Sequence, residues 1–236
     1  MIKLYLNSLW DTAMERNKAN IQKQLLMARG SEDPWFADFG CDDGVWTSRL
    51  GNTLRARKTT GIDIIASRLQ EASGRGIETI EANLNESLPI EDDRFDLIHA
   101  NQVIEHVADV DLFAKEVMRT LKPGGHAVIS TENASSWCNV AAVAMGWQMF
   151  SLTNMSGLRS GIGNPLALHR GEKLELSSWT HKTLFSYLGL KEFFEVHGFV
   201  VQSLLGAGYF PLPSVLGDWD PRHAHFLSIL VMKPDP

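Results

Sequence analysis

The stretch Asp38-Phe39-Gly40-Cys41-Asp42-Asp43-Gly44 decides the fold. It follows a short apolar run at 35–39 and precedes a helical pattern that extends to about Asn52. Glycine has no Cβ, so Gly40 and Gly44 let the chain turn sharply at positive φ and let backbone approach a ligand closely. By itself such a loop is also what an ordinary strand-to-helix turn looks like, and the flanking segments choose between the readings. Downstream, apolar runs at 59–64, 78–84, 95–101 and 126–131 alternate with amphipathic stretches at 67–73 and 110–121, the texture of consecutive βαβ units with parallel strands. Lys122-Pro123-Gly124-Gly125 marks the turn before the fifth strand. A helix at 184–197, stopped by Gly198, and two strands at 199–205 and 226–233 complete the pattern. The expectation is a doubly wound α/β domain over 34–236.

Two segments stand outside this rhythm. Residues 1–33 read as a helical leader, charged, with Met14, Ile21 and Leu25 on one face and the rest toward solvent. Residues 132–182 are rich in Asn, Ser, Gly, Trp and Met, with a short helix at 140–149 as their one periodic piece. A long irregular segment inside a compact domain is usually functional, so a lid or substrate-binding insertion is expected there.

A length of 236 residues accommodates one such domain with an insertion. The net charge of −6 gives no general attraction to nucleic acid. With only Cys41 and Cys138 present, and the first inside the glycine loop, a stabilising disulfide is not expected and a reducing, cytoplasmic location is. The N-terminus lacks the signal-peptide pattern, and the longest apolar stretch, 140–150, is too short to span a bilayer.

Asp63 ends the second strand, 23 positions after Gly40. A carboxylate there can accept two hydrogen bonds from a ribose diol, a charge-assisted contact of roughly 1.5–3 kcal/mol; the competing role is to cap the next helix. Ala82-Asn83-Leu84-Asn85 ends the third strand, and Asn101-Gln102-Val103-Ile104-Glu105-His106-Val107 carries the fourth into a polar loop. Both point to the carboxyl edge of the sheet, where open α/β sheets bind ligands.

In this order the elements resemble the class I S-adenosylmethionine-dependent methyltransferases, and among them the group similar to the quinone-biosynthesis methyltransferases. The resemblance rests on Asp38–Gly44, Asp63, Asn83–Pro89 with Phe95-Asp96-Leu97-Ile98, Val103–Val107 and Leu121–Gly125. It implies a seven-stranded sheet whose last strand is antiparallel. It also implies a site for S-adenosylmethionine, left as S-adenosylhomocysteine: Asp38, Phe39, Gly40, Cys41, Asp42 and Gly44 at the methionine end, Asp63 and Ile64 at the ribose, Asn83 and Leu84 at the adenine, Asn101 and Gln102 beside the methionine. Two positions depart from the group's pattern. Asp42 stands where the loop usually has its middle glycine, and Asn83 where an acid is usual.

Methyl transfer needs an in-line nucleophile, so positioning can supply most of the catalysis. If the acceptor must lose a proton, His106 is the candidate base, with Glu105 beside it; the alternative is a loop histidine bonded to backbone. The insertion's Trp137, Trp147, Phe150 and Trp179 and its methionines suit an apolar or aromatic small-molecule acceptor. Arg159, Arg170, Lys173 and Lys182 against Glu172 and Glu175 suggest an anionic group on it, met by His169, Arg170 and His181. No metal is expected, because the histidines and cysteines show no metal-ligand spacing; His223 and His225 share a strand face without a third ligand and read as an exposed strand end. Two competing readings remain: a nicotinamide-dependent oxidoreductase, which would need glycine at Asp42 and Val45, and a non-catalytic adenosyl-binding protein.

Overall fold

The computed structural model describes residues 2–30, 33–167, 169–174 and 177–235. Seven strands form one sheet: β1 (Trp35–Phe39), β2 (Lys58–Asp63), β3 (Glu78–Glu81), β4 (Phe95–Asn101), β5 (Leu121–Glu132), β6 (Val200–Ala207) and β7 (Phe226–Met232). Their order is β3-β2-β1-β4-β5-β7-β6. The first five are parallel, and β7 runs antiparallel between β5 and β6. The helices are α1 (Ile2–Ala28), α2 (Val45–Leu54), α3 (Ala66–Ser73), α4 (Val110–Thr120), α5 (Trp137–Ala144), α6 (Tyr187–Val196) and α7 (Leu216–Trp219). The expected doubly wound sheet with an antiparallel last strand is therefore present. The chain moves outward from β1 to β3 and then returns to place β4 on the other side of β1, which opens a crevice at the carboxyl ends of β1 and β4.

Both faces of the sheet are covered, so its strands are apolar at successive positions and neighbours point to opposite cores. Phe36, Leu97, Val128 and Leu230 pack with Leu50 and Leu54 of α2 and Ile21 and Leu25 of α1. Ala37, Ile98, Ile129 and Ile229 point the other way, into a cluster with Phe113 and Val117 of α4 and Leu190 and Phe194 of α6. Asp109 starts α4 by accepting from the Leu112 amide at 2.9 Å, and Ser186 does the same for α6 with Gly189 at 3.2 Å.

The leader helix overturns its sequence reading. Instead of facing solvent, α1 lies across β5, β7 and β6 with Ala13, Asn17, Ile21, Gln24 and Leu25 fully buried. Two of those five are amides, so an apolar count underestimates the buried stripe. Their amide nitrogens are paired: that of Asn17 donates to Asn101 Oδ1 (3.1 Å) and Ser130 Oγ (2.9 Å), and that of Gln24 to Ser203 Oγ and the Ser228 carbonyl (3.0 Å each), while Gln24 Oε1 is left without a partner.

Several boundaries differ, α6 among them with its start at Tyr187; three others have a local cause. The third strand stops at Glu81, because Ala82 to Asn85 turn into the crevice. Lys122–Gly125 is a bulge within β5, with Gly124 at φ +72°. The insertion helix runs over Trp137–Ala144, earlier than expected, and Gly146 at φ +72° ends it. Around it, Asn139 bonds the Asn133 carbonyl and Ser151 Oγ, and Asn164 bonds the Gln148 carbonyl, all at 2.9 Å. These asparagines supply the backbone partners that a helix or sheet would otherwise give. Glu175, counted among the insertion's charges, lies outside the described residues.

Candidate functional site

Two cavities open at the carboxyl edge. The first is a cleft of about 360 Å³ lined by Gly40, Asp42, Asp63, Ile64, Ile65, Ala82, Asn83, Leu84, Asn85, Asn101, Gln102, Val103, His106 and Val107, closed on the insertion side by Ser178, Trp179 and Lys182. Eight of the twelve residues expected around a nucleoside thus come together: Gly40, Asp42, Asp63, Ile64, Asn83, Leu84, Asn101 and Gln102.

The other four do not reach the cleft, for identifiable reasons. Phe39 is fully buried against Phe95 and Phe113. Cys41 turns into a small core with Leu69, Ala72 and Ile77. Gly44 backs onto Ala72 and Ile77 of that core. Asp38 is 3% exposed and spends its carboxylate inward, on Thr47 Oγ1 at 2.5 Å and His99 Nδ1 at 2.7 Å. These residues shape the loop from behind.

The loop conformation is held by Asp63. Its Oδ2 accepts from the Asp42 amide and its Oδ1 from the Ile65 amide, both at 3.0 Å. Asp63 does not cap α3, whose N-cap is Ile65 without a side-chain bond; it holds the turn ahead of the helix, and a carboxylate with about four acceptor sites keeps capacity for a ligand. Asp42 adopts φ +46°, the left-handed conformation that favours glycine, and its side chain pairs with Arg68 Nε at 3.1 Å. Burial raises the Asp42 carboxyl above its usual range, against the pull of Arg68. Asn83 departs from its expected role: both acceptor sites of its Oδ1 are taken by the backbone and side-chain nitrogens of Asn85 (3.1 and 3.0 Å), and its Nδ2 donates to Glu86.

The second cavity, about 830 Å³, lies under the insertion. Trp10, Met14, Ala141, Ala142, Met145, Trp147, Phe150, Leu166, Leu174, Trp179 and Phe210 give it apolar walls, with His169, Glu172 and Lys173 also lining it. Its polar lining includes Glu132, Cys138, His181 and His225. Of the expected acceptor contacts, Trp147, His169 and His181 line it. Trp137 and Arg170 do not. Trp137 stacks on His223 and donates to Tyr209, and Arg170 donates to the carbonyls of Gly161 and Asn164. Trp10 and Met14 come from α1, Phe210 and His225 from the chain before β7; no local pattern announces them, because only tertiary packing brings them here. His225 is a further correction: it is 3% exposed, packed among Trp10, Phe210 and Phe226, and no exposed strand end.

Cleft and chamber share Gln102, His106 and Trp179. Gln102 holds φ +56° with its side-chain Nε2 buried and unpartnered, backbone strain of the kind that collects at functional sites. His106 Nδ1 lies 3.2 Å from the Thr180 carbonyl and His181 Nδ1 2.6 Å from the Ser151 carbonyl. A carbonyl can only accept, so both rings carry hydrogen on Nδ1, and the neutral ring of His106 presents the lone pair of Nε2. Burial, then the neighbouring His181, lowers His106 to about 4, so it is unprotonated at neutral pH. Glu105 is fully buried, and burial raises its carboxyl to about 8. Linear spacing showed no metal set, yet the fold gathers one ligand atom each from Glu105, His106 and His181 within 4.8 Å of one another, a donor set that suits a divalent cation as well as a proton.

The family pattern that matches the chain is described as a methyltransferase domain and covers residues 12–204. A ubiquinone biosynthesis O-methyltransferase of Chelativorans sp. is 35% identical over 41% of this chain and 39% of its own. One of Parvibaculum lavamentivorans is 30% identical over 56% of each. The chain thus spans about half the length of the curated relatives it matches. An S-adenosylmethionine-dependent methyltransferase from Mesorhizobium loti shares the fold with a TM-score of 0.56 at 20% identity, over 88% of this chain and 95% of that one. Among the described residues, no helix is long and apolar enough to cross a membrane.

Proposed function

Because the chain belongs to the methyltransferase domain family, we propose that it transfers a methyl group from S-adenosylmethionine, bound in the cleft, to a small and largely apolar acceptor in the chamber. The observation that carries this reading is the junction: two cavities of different chemistry meet at Gln102, His106 and Trp179. S-adenosylmethionine, when bound, supplies a methyl group on a sulfonium that an in-line nucleophile displaces.

The chain's own residues have distinct tasks. Asp63 grips the ribose hydroxyls while its backbone bonds keep the loop in place. Ile64, Leu84 and Val103 give the adenine apolar walls, and Asn83 shapes that turn without reading the base. Asp42 lies with Asp63 along the cleft and contributes negative charge toward a sulfonium. Asp38 positions the loop through Thr47. In the chamber, aromatic walls exclude water and orient the acceptor, and the Nε2 lone pair of His106 accepts its hydrogen. An anionic group on the acceptor would meet Lys173 and His169, which also line the chamber. A base near 4 is weak, so orientation carries more of the rate than proton removal does.

Calorimetry tests the cofactor assignment. S-adenosylhomocysteine binds and NAD does not; the opposite pair of results would turn the reading to the oxidoreductase, despite Asp42 and Val45 at its glycine positions. Asp63→Ala weakens S-adenosylhomocysteine binding by about tenfold or more, and unchanged affinity in a folded variant would place the ribose elsewhere. His106→Ala lowers kcat by about a hundredfold, the low end for a positioned proton acceptor, and equally at every pH from 6 to 9 because the ring stays neutral throughout. Turnover that survives intact leaves catalysis to orientation alone, and turnover lost to a chelator and restored by a divalent cation assigns His106 to a metal instead.

A further inference from the structure

Among the described residues, four side chains around the chamber carry a buried atom with no hydrogen-bond partner: Gln102 Nε2, Glu105 Oε1, Glu132 Oε2 and His225 Nε2. The first two lie at or next to the junction already described. Glu132 and His225 do not belong to it. Both line the chamber alone, and both are more than nine-tenths buried. They sit on adjoining chain segments: Glu132 closes β5 opposite Phe226, and the His225 carbonyl accepts from the Asn133 amide at 2.9 Å.

The two unpartnered atoms have opposite hydrogen-bonding character. His225 Nδ1 faces Cys138 Sγ at 3.4 Å, and Cys138 in turn lies 3.3 Å from Ser136 Oγ. Where the thiol donates to Nδ1, and where a thiolate faces an imidazolium, Nε2 of His225 carries a hydrogen; the remaining arrangement, a neutral ring donating from Nδ1 to sulfur, is disfavoured because Cys138 and the Glu132 charge both favour the protonated ring. Burial raises the Cys138 thiol, yet the adjacent imidazole outweighs it and leaves the thiol lowered, while burial of His225 is outweighed by Cys138 and leaves the imidazole raised. Nε2 is thus a donor, and Glu132 Oε2 is an acceptor whose charge acts on both His225 and Cys138. Leaving either unpaired inside apolar walls is unfavourable, and more so for a charge. A group that accepts from one and donates to the other satisfies both. A hydroxyl does both through a single oxygen, whereas a carboxamide does so only through two separate atoms; an ether only accepts, and a carboxylate would meet Glu132 with like charge.

We propose that Glu132 and His225 form a hydroxyl-binding subsite in the chamber, which selects acceptors that are apolar and carry an alcohol or phenol group. Trp10, Phe210 and Phe226, which surround His225, supply the apolar setting. Cys138 is the positioning residue that fixes the imidazole. This rests on the chamber being the acceptor's place in the methyl-transfer reading above.

The test uses 2-naphthol, 2-methoxynaphthalene and 2-naphthoate as probes, titrated calorimetrically into the full chain with saturating S-adenosylhomocysteine. 2-Naphthol is expected to bind at least tenfold more tightly than either other probe. His225→Phe and Glu132→Leu reduce that preference below threefold with S-adenosylhomocysteine affinity unchanged, and Glu132→Gln, which keeps an acceptor and the volume, retains part of it. In Cys138→Ala the nitrogen chemical shifts of His225 move, a signature that mere loss of packing does not produce; unmoved shifts remove Cys138 from the arrangement. A methyl ether that binds as well as the naphthol, a tighter naphthoate, or no naphthol binding at millimolar concentration overturns the subsite. If S-adenosylhomocysteine fails to bind while the hydroxyl preference persists, methyl transfer is lost and the subsite stands; if it binds and the preference is absent, the subsite falls and methyl transfer stands.

Discussion

Gly44→Ala is expected to destabilise the fold by about 2–5 kcal/mol, the sum of a left-handed backbone penalty and an overpacking cost. Gly44 has φ +77°, and a Cβ there would lie 2.7 Å from Ile77 Cδ1, 2.8 Å from Ala72 Cβ and 2.9 Å from Ala72 Cα. The last of these is backbone of α3, which cannot step aside as a side-chain tip can. Gly76 provides the internal control. Its φ is nearly the same, +81°, but nothing lies within 4 Å of an added Cβ, so Gly76→Ala costs only the backbone part, about 1–2 kcal/mol. Urea unfolding of the two variants separates the terms by subtraction. Equal losses would show that the loop yields and that its fit against α3 is not what fixes its shape.

Glu105→Gln should remove a decline in stability on the alkaline side. Burial raises the Glu105 carboxyl to about 8 from an ordinary 4.5, so between those values the folded chain holds a proton that the unfolded chain has released. Stability then falls as pH rises, by up to about 1.4 kcal/mol per pH unit, and levels off above 8. His106 works in the opposite sense at lower pH. Its value drops to about 4, so the unfolded chain binds the extra proton and stability is lost as pH falls from 6.5 toward 4. The two nearly offset between about 4.5 and 6.5, which leaves the Glu105 effect unopposed between 6.5 and 8, where about 2 kcal/mol is expected to disappear. The glutamine of the variant cannot ionise and still accepts from Thr131 Oγ1, which bonds Glu105 Oε2 at 2.9 Å in the parent chain. Denaturant midpoints should therefore stay level from pH 5 to 6.5 and slope downward from 6.5 to 8 in the parent chain, whereas in the variant they climb from 5 to 6.5, where His106 is no longer offset, and stay level above 6.5. Parallel curves would mean that Glu105 is hydrated and ionised at neutral pH.

The pairing of these groups bears on function as well as stability. A protonated Glu105 beside an unprotonated His106 keeps the junction free of net charge from either, so the carboxylates of Asp42 and Asp63 at the cleft are not opposed by an imidazolium. His181, 4.7 Å from His106 ring to ring, adds to the lowering of His106. The back of the insertion ties into this same corner, because the Lys182 and Thr183 amides both donate to the Glu105 carbonyl, at 2.7 and 3.2 Å. A change in the protonation of Glu105 would be felt where the insertion rejoins the domain.

Sequence by itself determined the sheet and the cleft. Each buried strand is a short run of apolar residues, each crossover helix a local period near 3.6, and the glycine loop and Asp63 are adjacent to strand ends; such signals are local, so the cleft residues at those ends follow from where the strands stop, whereas Ser178, Trp179 and Lys182 reach the cleft from the insertion. Tertiary structure decided the rest. The chamber draws Trp10 from α1, Glu132 from β5, Cys138 from α5 and His225 from the approach to β7, and Glu105, His106 and His181 come together across some 75 positions of chain. Nothing in the neighbours of Asn17 or His225 shows that they are buried, because an amide or an imidazole goes inside only where a distant partner replaces its water. That partner is fixed by how the elements pack, and the identity of a buried polar residue carries no trace of it.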